Sequence, residues 1–188
     1  MKRPPLSLKA QALSLLARRE HSRAELRTKL MAHARQRARS QAQAAAKDRA
    51  LGPRDPWDRS DEEPVETPPE FDAERAAEDI ERVLDDLEAA RHLSDARFAE
   101  SRVHARARRQ GIARIEQELS RHGVELDADT ARQLRDTELE RAREIWRRKY
   151  GGQAPADAAE RARQMRFLAG RGFSGDVVRR VVGQREDD

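Results

Sequence analysis

The chain has 188 residues, no cysteine and 39% charged side chains, which excludes disulfides, cysteine-held zinc and thiol catalysis and argues against one large spherical core. Several small cores with a high surface-to-volume ratio fit its hydrophobic fraction of 37% better. The net charge of +4 is unevenly placed, with residues 1–54 at +11, residues 55–100 at −12 and residues 101–188 at +5, an order that suits polyanions or acidic proteins as partners. Of the 39 basic residues 34 are arginine, whose planar fork matches phosphate and carboxylate; a genome rich in Arg and Ala codons explains part of that excess. No apolar run reaches membrane-spanning length and no signal-peptide core follows Met1-Lys2-Arg3, so a cytoplasmic protein without membrane contact is expected.

Leu8, Ala12, Leu15 and Leu16 form a helical stripe ending at Arg18-Arg19. Ser22-Arg23-Ala24-Glu25 reads as a capping box opening a second helix, which carries Leu26 and Leu30 on one face. From about Gln36 to Glu70 the apolar period fails. A Gln/Ala tract and then five prolines mixed with acids predict a disordered insertion over 35–70, with an extension of the preceding helix as the alternative for the Gln/Ala part. Ile80, Val83, Leu84 and Leu87 give the clearest amphipathic pattern. Leu93-Ser94-Asp95 starts the next helix, with Ser94 as cap and Leu93 packing on Phe98. Gly111 ends it, and the stripe of Ile112, Ile115 and Leu119 then stops at Gly123. A helix through Ala131 and Leu134 runs on, or breaks, before Ala142, Ile145 and Trp146. Gly151-Gly152 is a stop, a helix covers about 156–169, and Val177, Val178, Val181 and Val182 close the fold.

One phrase recurs. Leu119-Ser120-Arg121-His122-Gly123-Val124 returns as Leu168-Ala169-Gly170-Arg171-Gly172-Phe173, each a helix that stops on glycine before a large apolar residue. A third copy is expected across the insertion, with Leu30 to Ala34 before it and Phe71 after it. Every proline lies outside the proposed helices and no segment alternates like a strand. The fold class is therefore all-α, an elongated tandem array of three three-helix, helix-turn-helix-like repeats. The first comprises 1–34 plus 71–92, the second 93–136, and the third 137–188 with a short tail.

Basic pairs close the first helix of each triplet: Arg18-Arg19, Arg108-Arg109 and Arg147-Arg148. They are the candidate contacts to phosphates or to an acidic partner surface, although cations at a helix C-terminus also complement its dipole. Read as helix-turn-helix units, the second helices carry Arg23, Arg27 and Lys29, then Arg114, Glu116 and Glu118, then Arg161, Arg163 and Arg166. The acidic outer face of the middle one would repel phosphate. Asp79, Glu81, Asp85, Asp86 and Glu88 read as a solvated helix face before they read as metal ligands. The histidines show no metal-site spacing, and no nucleophile, phosphate loop or catalytic dyad stands out. A non-enzymatic chain without cofactor or metal is expected. Trp146 and Tyr150 are expected to pack between triplets.

Three phrases together carry a resemblance. Arg19-Glu20-His21-Ser22-Arg23-Ala24-Glu25-Leu26, Leu93-Ser94-Asp95-Ala96-Arg97-Phe98-Ala99 and Phe167-Leu168-Ala169-Gly170-Arg171-Gly172-Phe173, with Gly111-Ile112-Ala113-Arg114-Ile115 and Glu118-Leu119 between them, resemble the bacterial RecX regulatory proteins over roughly 8–34 and 71–183. The insertion at 35–70 and Ala34 in a glycine's place depart from that pattern. The resemblance implies tandem three-helix repeats and no catalytic residues. It also implies binding along the groove of the RecA–DNA filament, with restraint of ATP hydrolysis, strand exchange and the co-protease activity of the SOS response. RecA filaments, with single- or double-stranded DNA as a further contact, are then the expected partners of a monomeric chain. The alternative is a tandem helix-turn-helix DNA-binding regulator acting independently of RecA.

Overall fold

Apolar stripes too narrow to bury themselves singly are resolved by helices packed in threes. The computed structural model describes residues 6–51 and 71–183, which fold into nine α-helices without a strand. One compact unit runs to Ser94 and contains α1 (Leu8–Leu16), α2 (Arg23–Leu51) and α3 (Ala73–Ala89). The other begins at Asp95 and contains α4 (Asp95–Arg106), α5 (Ile112–Ser120), α6 (Ala128–Asp136), α7 (Glu138–Tyr150), α8 (Ala158–Ala169) and α9 (Gly175–Gly183). Two units hold three cores. Ala12, Leu26, Leu30, Ile80, Leu84, Leu87 and Leu93 form the first, and Phe98, Ile112, Ile115, Leu119 and Leu134 anchor the second. Trp146, Leu168, Phe173, Val178, Val181 and Val182 anchor the third. Leu93 thus belongs to the first core and Phe98 to the second.

Helix starts are fixed by short polar side chains. Ser7 accepts from the Ala10 N–H, Asp72 from Arg75, Asp127 from Thr130 and Asp157 from Glu160, each satisfying an N–H that has no partner inside the helix. Ser22 accepts from the Glu25 N–H at 3.1 Å, as the capping box requires. Glu160 adds a reciprocal bond, accepting from the Ala156 N–H at 2.9 Å. The chain between α6 and α7 breaks at Thr137, whose hydroxyl donates back to the Gln133 carbonyl at 2.8 Å.

Three expectations are corrected. In place of a disordered insertion beginning at 35, the chain stays helical through 35–51, the alternative that the Gln/Ala tract offered, because Ala, Gln, Arg and Lys favour helix even where no apolar face directs them; residues 52–70 lie outside the described residues. Trp146 and Tyr150 serve the third core alone, where the Trp146 indole N–H donates to the Gln164 Oε1 at 2.7 Å in a buried pair. No turn occurs near Ala34. The turn shared by Leu119–Gly123 and Leu168–Gly172 has its third copy at the end of α3. In all three a leucine carbonyl (Leu87, Leu119, Leu168) accepts from the N–H five residues on, and the residue before that N–H has positive φ. At 123 and 172 that residue is glycine; at 91 it is arginine with φ 59°, so the motif was hidden by a residue that costs about 1 kcal/mol to place there.

Glycine at 111 is required for another reason. A Cβ on Gly111 would run into the backbone of Gly172 and Phe173, and one on Gly172 would sit 2.5 Å from the Arg114 Cβ. The corner between α4 and α5 therefore lies directly on the corner between α8 and α9, and the Gly111 N–H donates to the Arg171 carbonyl at 2.9 Å. Gly111→Ala is expected to cost about 3 kcal/mol in urea unfolding, against about 1 kcal/mol for Gly151→Ala, where φ is 69° but the added carbon meets nothing. Equal losses would contradict this account.

Glu25 sits where α1 hands over to α2. Its carboxylate takes both guanidinium nitrogens of Arg19, and the His21 Nδ1 approaches it at 3.1 Å without hydrogen-bond geometry. Burial alone would push the Glu25 carboxyl up, but the Arg19 bonds with the nearby His21 and Lys29 charges outweigh it and hold the group at about 2. A carboxyl depressed on folding stabilises fully above its unfolded value of 4.5 and loses that contribution as pH falls toward 2. The stability gap between the wild-type chain and Glu25→Gln should be constant above about pH 7.5, widen as the buried His21, which Glu25 helps to protonate, takes up its proton below 6.5, and shrink between pH 4.5 and 2, read as urea midpoints. A gap independent of pH would remove Glu25 from the account.

Candidate functional site

Three of the six sequence-predicted arginines converge. Arg108 and Arg109 lie in the turn after α4, and Arg148 lies on the last turn of α7. With Lys149 and Arg171 they line a hollow of about 290 Å³ floored by Ile145 and Phe167. No lining residue is acidic. Arg148 pairs with Glu144 one turn back on α7, and the Arg171 guanidinium stacks 3.8 Å from the Phe167 ring centroid. Among the described residues no ion pair engages Arg108, Arg109 or Lys149. Five cations around an apolar floor, with little internal neutralisation, give the hollow a positive field of the kind that suits a negatively charged ligand.

The other three serve differently. Arg18 is exposed in the first unit. Arg19 donates to Glu25 and to the Glu20 carbonyl, which makes it a structural residue of the α1–α2 corner. Arg147 is exposed on α7, with its Cγ beside Gly152, and does not line the hollow.

A clasp aims the hollow's cations. Glu138, almost fully buried at the start of α7, accepts the Ile112 N–H at 3.1 Å. It thereby caps the N-terminus of α5, where Gly111 has no side chain to do so. One turn on, Arg141 donates through Nη1 to the carbonyls of Ala107 and Gln110 at 2.8 and 2.7 Å, and through Nη2 to Leu134 at 2.7 Å. An acid at a helix start and a base at a helix end both complement the peptide dipoles they face. Burial pushes the Arg141 guanidinium down from its ordinary value while the Glu138 charge opposes that. Residues 107–112, which carry Arg108 and Arg109, are thus gripped on one side by α7 and on the other by Arg171 and Gly172. Neither Glu138 nor Arg141 stood out in the sequence; the only signal was an acid and a base three apart on a helix whose apolar face was already known.

The five acids of α3 that could be read as metal ligands are occupied, Asp79 by Arg82 and Asp86 by Lys9. Arg23 on α2 reaches Glu81, Asp85 and Glu88 at 2.6, 2.8 and 2.8 Å, and Arg27 reaches Glu81. The Arg23 hydrogen bond, helped by Arg27, holds the Glu81 carboxyl below its usual range. Among the described residues no cluster of His, Asp and Glu has metal-binding geometry. The same pairs draw Arg23 and Arg27 away from any nucleic-acid groove. Glu118 on α5 likewise gathers Arg102 and Arg106. No helix among the described residues is long and apolar enough to cross a membrane.

Comparison with known proteins gives this architecture relatives. The model of the third three-helix domain of RecX matches residues 136–182, and that of the second three-helix domain matches 94–128. The chain is 48% identical to the regulatory protein RecX of Leptothrix cholodnii over 182 residues, 96% of this chain and 90% of that one. It is 40% identical to the regulatory protein RecX of Ralstonia pickettii over 98% of this chain and 92% of that one. The protein of the same name from Pseudomonas syringae is 36% identical over 98% and 95%.

Loss of the clasp should be measurable apart from binding. Arg141→Ala, which strands three carbonyls, is expected to cost about 3 kcal/mol in urea unfolding, and Glu138→Gln, which keeps an acceptor for Ile112, about 1 kcal/mol. The reverse order would contradict the assignment of the two roles.

Proposed function

The chain belongs to the RecX family of regulatory proteins, and we propose that it binds RecA–DNA filaments and restrains their ATPase, recombinase and co-protease activities through the basic hollow of its second unit. The observation that supports this most is the convergence of Arg108, Arg109 and Arg148 with Lys149 and Arg171 around one opening. A filament repeats its acidic and phosphate groups along its length. A chain built as two compact units can engage successive repeats, and weak contacts then add by avidity. The hollow, so read, binds its partner and carries no reaction. On this reading the protein acts in the cytoplasm, as a monomer, without cofactor. DNA phosphates lie within the partner filament and share in the contact. A DNA-reading role independent of RecA is less well supported, since Arg23 and Arg27, the candidate groove contacts on α2, are bound to α3.

Reversing Arg108, Arg109 and Arg148 to glutamate should raise about tenfold the amount of protein that halves RecA-dependent ATP hydrolysis on single-stranded DNA, with helicity by circular dichroism unchanged. Undiminished inhibition would take the hollow out of the mechanism. Arg18→Glu is the matching test in the first unit; Arg19 is unsuitable there because its loss also disturbs Glu25.

A further inference from the structure

A site built only for phosphates needs cations and no apolar floor. This hollow has one. Ile145 on α7 and Phe167 on α8 share the lining with Arg108 and Arg109 from the turn after α4 and with Lys149 on α7. The floor is poorly suited to nucleobases. A base needs an open aromatic face to stack on, and the Arg171 guanidinium already occupies one face of the Phe167 ring, 3.8 Å from its centroid, while Tyr150 packs against the same ring at 5.4 Å and near a right angle. An aliphatic or aromatic side chain can instead rest on Ile145 and the rim of Phe167, removing apolar surface from water. The cations around it select what flanks that side chain. Arg148 is already shared with Glu144, which leaves Arg108, Arg109 and Lys149 as the groups best placed to receive new carboxylates. A volume of about 290 Å³ accommodates one large apolar side chain with a little backbone on either side, not a folded surface.

We propose that the hollow takes an acidic peptide segment carrying a single apolar anchor, with the anchor on Ile145 and Phe167 and the flanking carboxylates on Arg108, Arg109 and Lys149. This names the partner chemistry for the site of the preceding section and rests on that reading. It makes the contact of this surface with a filament a contact with protein, recognised by charge and one hydrophobic group together. Charge alone would accept any polyanion; the floor adds the discrimination.

Fluorescence anisotropy with the full chain tests it, using three labelled probes. The first is a heptapeptide with one phenylalanine between two runs of three glutamates. The second has glycine in place of the phenylalanine. The third is a seven-nucleotide oligothymidylate of equal charge. The first peptide should bind about fivefold or more tighter than either of the others, and the Arg109→Glu, Lys149→Glu double variant should weaken it about tenfold with an unchanged circular dichroism spectrum. Equal binding of the two peptides would show a bare ion atmosphere and overturn the proposal. Tighter binding of the oligonucleotide would make this a nucleic-acid site and overturn it too, as would indifference to the double variant. The same variant assayed on RecA-dependent ATP hydrolysis separates the two readings. Lost inhibition without peptide discrimination leaves the filament role standing and removes the peptide site, whereas peptide discrimination in a chain without effect on RecA removes the filament role.

Discussion

The second unit depends on one close approach. The α4–α5 corner at Gly111 and the α8–α9 corner at Gly172 meet backbone to backbone, at a separation that leaves no room for a Cβ on either side. A hydrogen bond from the Gly111 N–H to the Arg171 carbonyl crosses that contact. Glu138 and Arg141 fasten the same corner from α7. Six short helices, each marginal alone, thereby hold two small cores in one compact unit. The polar clasp matters because these cores are small: with little apolar area to bury, a handful of satisfied buried groups is a large share of the net stability.

The same corner links stability to the candidate site. Arg108 and Arg109 project from a turn whose ends are fixed, and Arg171 contributes its carbonyl to the corner and its side chain to the hollow. The backbone that carries Arg108, Arg109 and Arg171 is therefore fixed by main-chain and clasp contacts, while Arg148 is held by Glu144. That arrangement resolves a general difficulty. Like charges gathered at one place repel, and neutralising them internally would leave nothing for a partner. Holding them from the main chain keeps the charge available and the geometry fixed.

How much of this was legible in the sequence varies with the range of the interaction. Stripes such as Ile80–Leu84–Leu87 and Ile112–Ile115–Leu119 report local periodicity, and each became a buried helix face. The capping box at Ser22 was legible for the same reason. The α2 extension over 35–51 was legible only as the alternative for the Gln/Ala tract, because intrinsic propensity, not an apolar face, sustains it. The αL turn at Arg91 was hidden because arginine occupies a conformation for which glycine is the usual signal. Glu138 and Arg141 were hidden for a third reason: their partners are backbone groups, three of the four 26 to 34 residues away, and no side-chain pattern marks a main-chain donor or acceptor. The recurring basic pairs pointed to Arg108, Arg109 and Arg148, yet missed Lys149 and Arg171, which only the packing of α7 against α8 brings alongside.

An arginine-rich chain need not use its arginines for binding along its whole length, and here many of them are structural. Arg19, Arg23 and Arg27 hold helices in the first unit, and Arg102, Arg106 and Arg141 do so in the second. Many exposed arginines are matched three or four residues away by an acid, as Arg82 is by Asp79, Arg163 by Glu160 and Arg179 by Asp176. Such pairs contribute little to stability, but they flatten the field that an approaching polyanion meets. The hollow, whose lining carries no acid, is one place where that flattening is incomplete; Arg35 and Arg39 on α2 line another. Composition showed a basic protein; only the pairing pattern shows where that basicity is left available to another molecule.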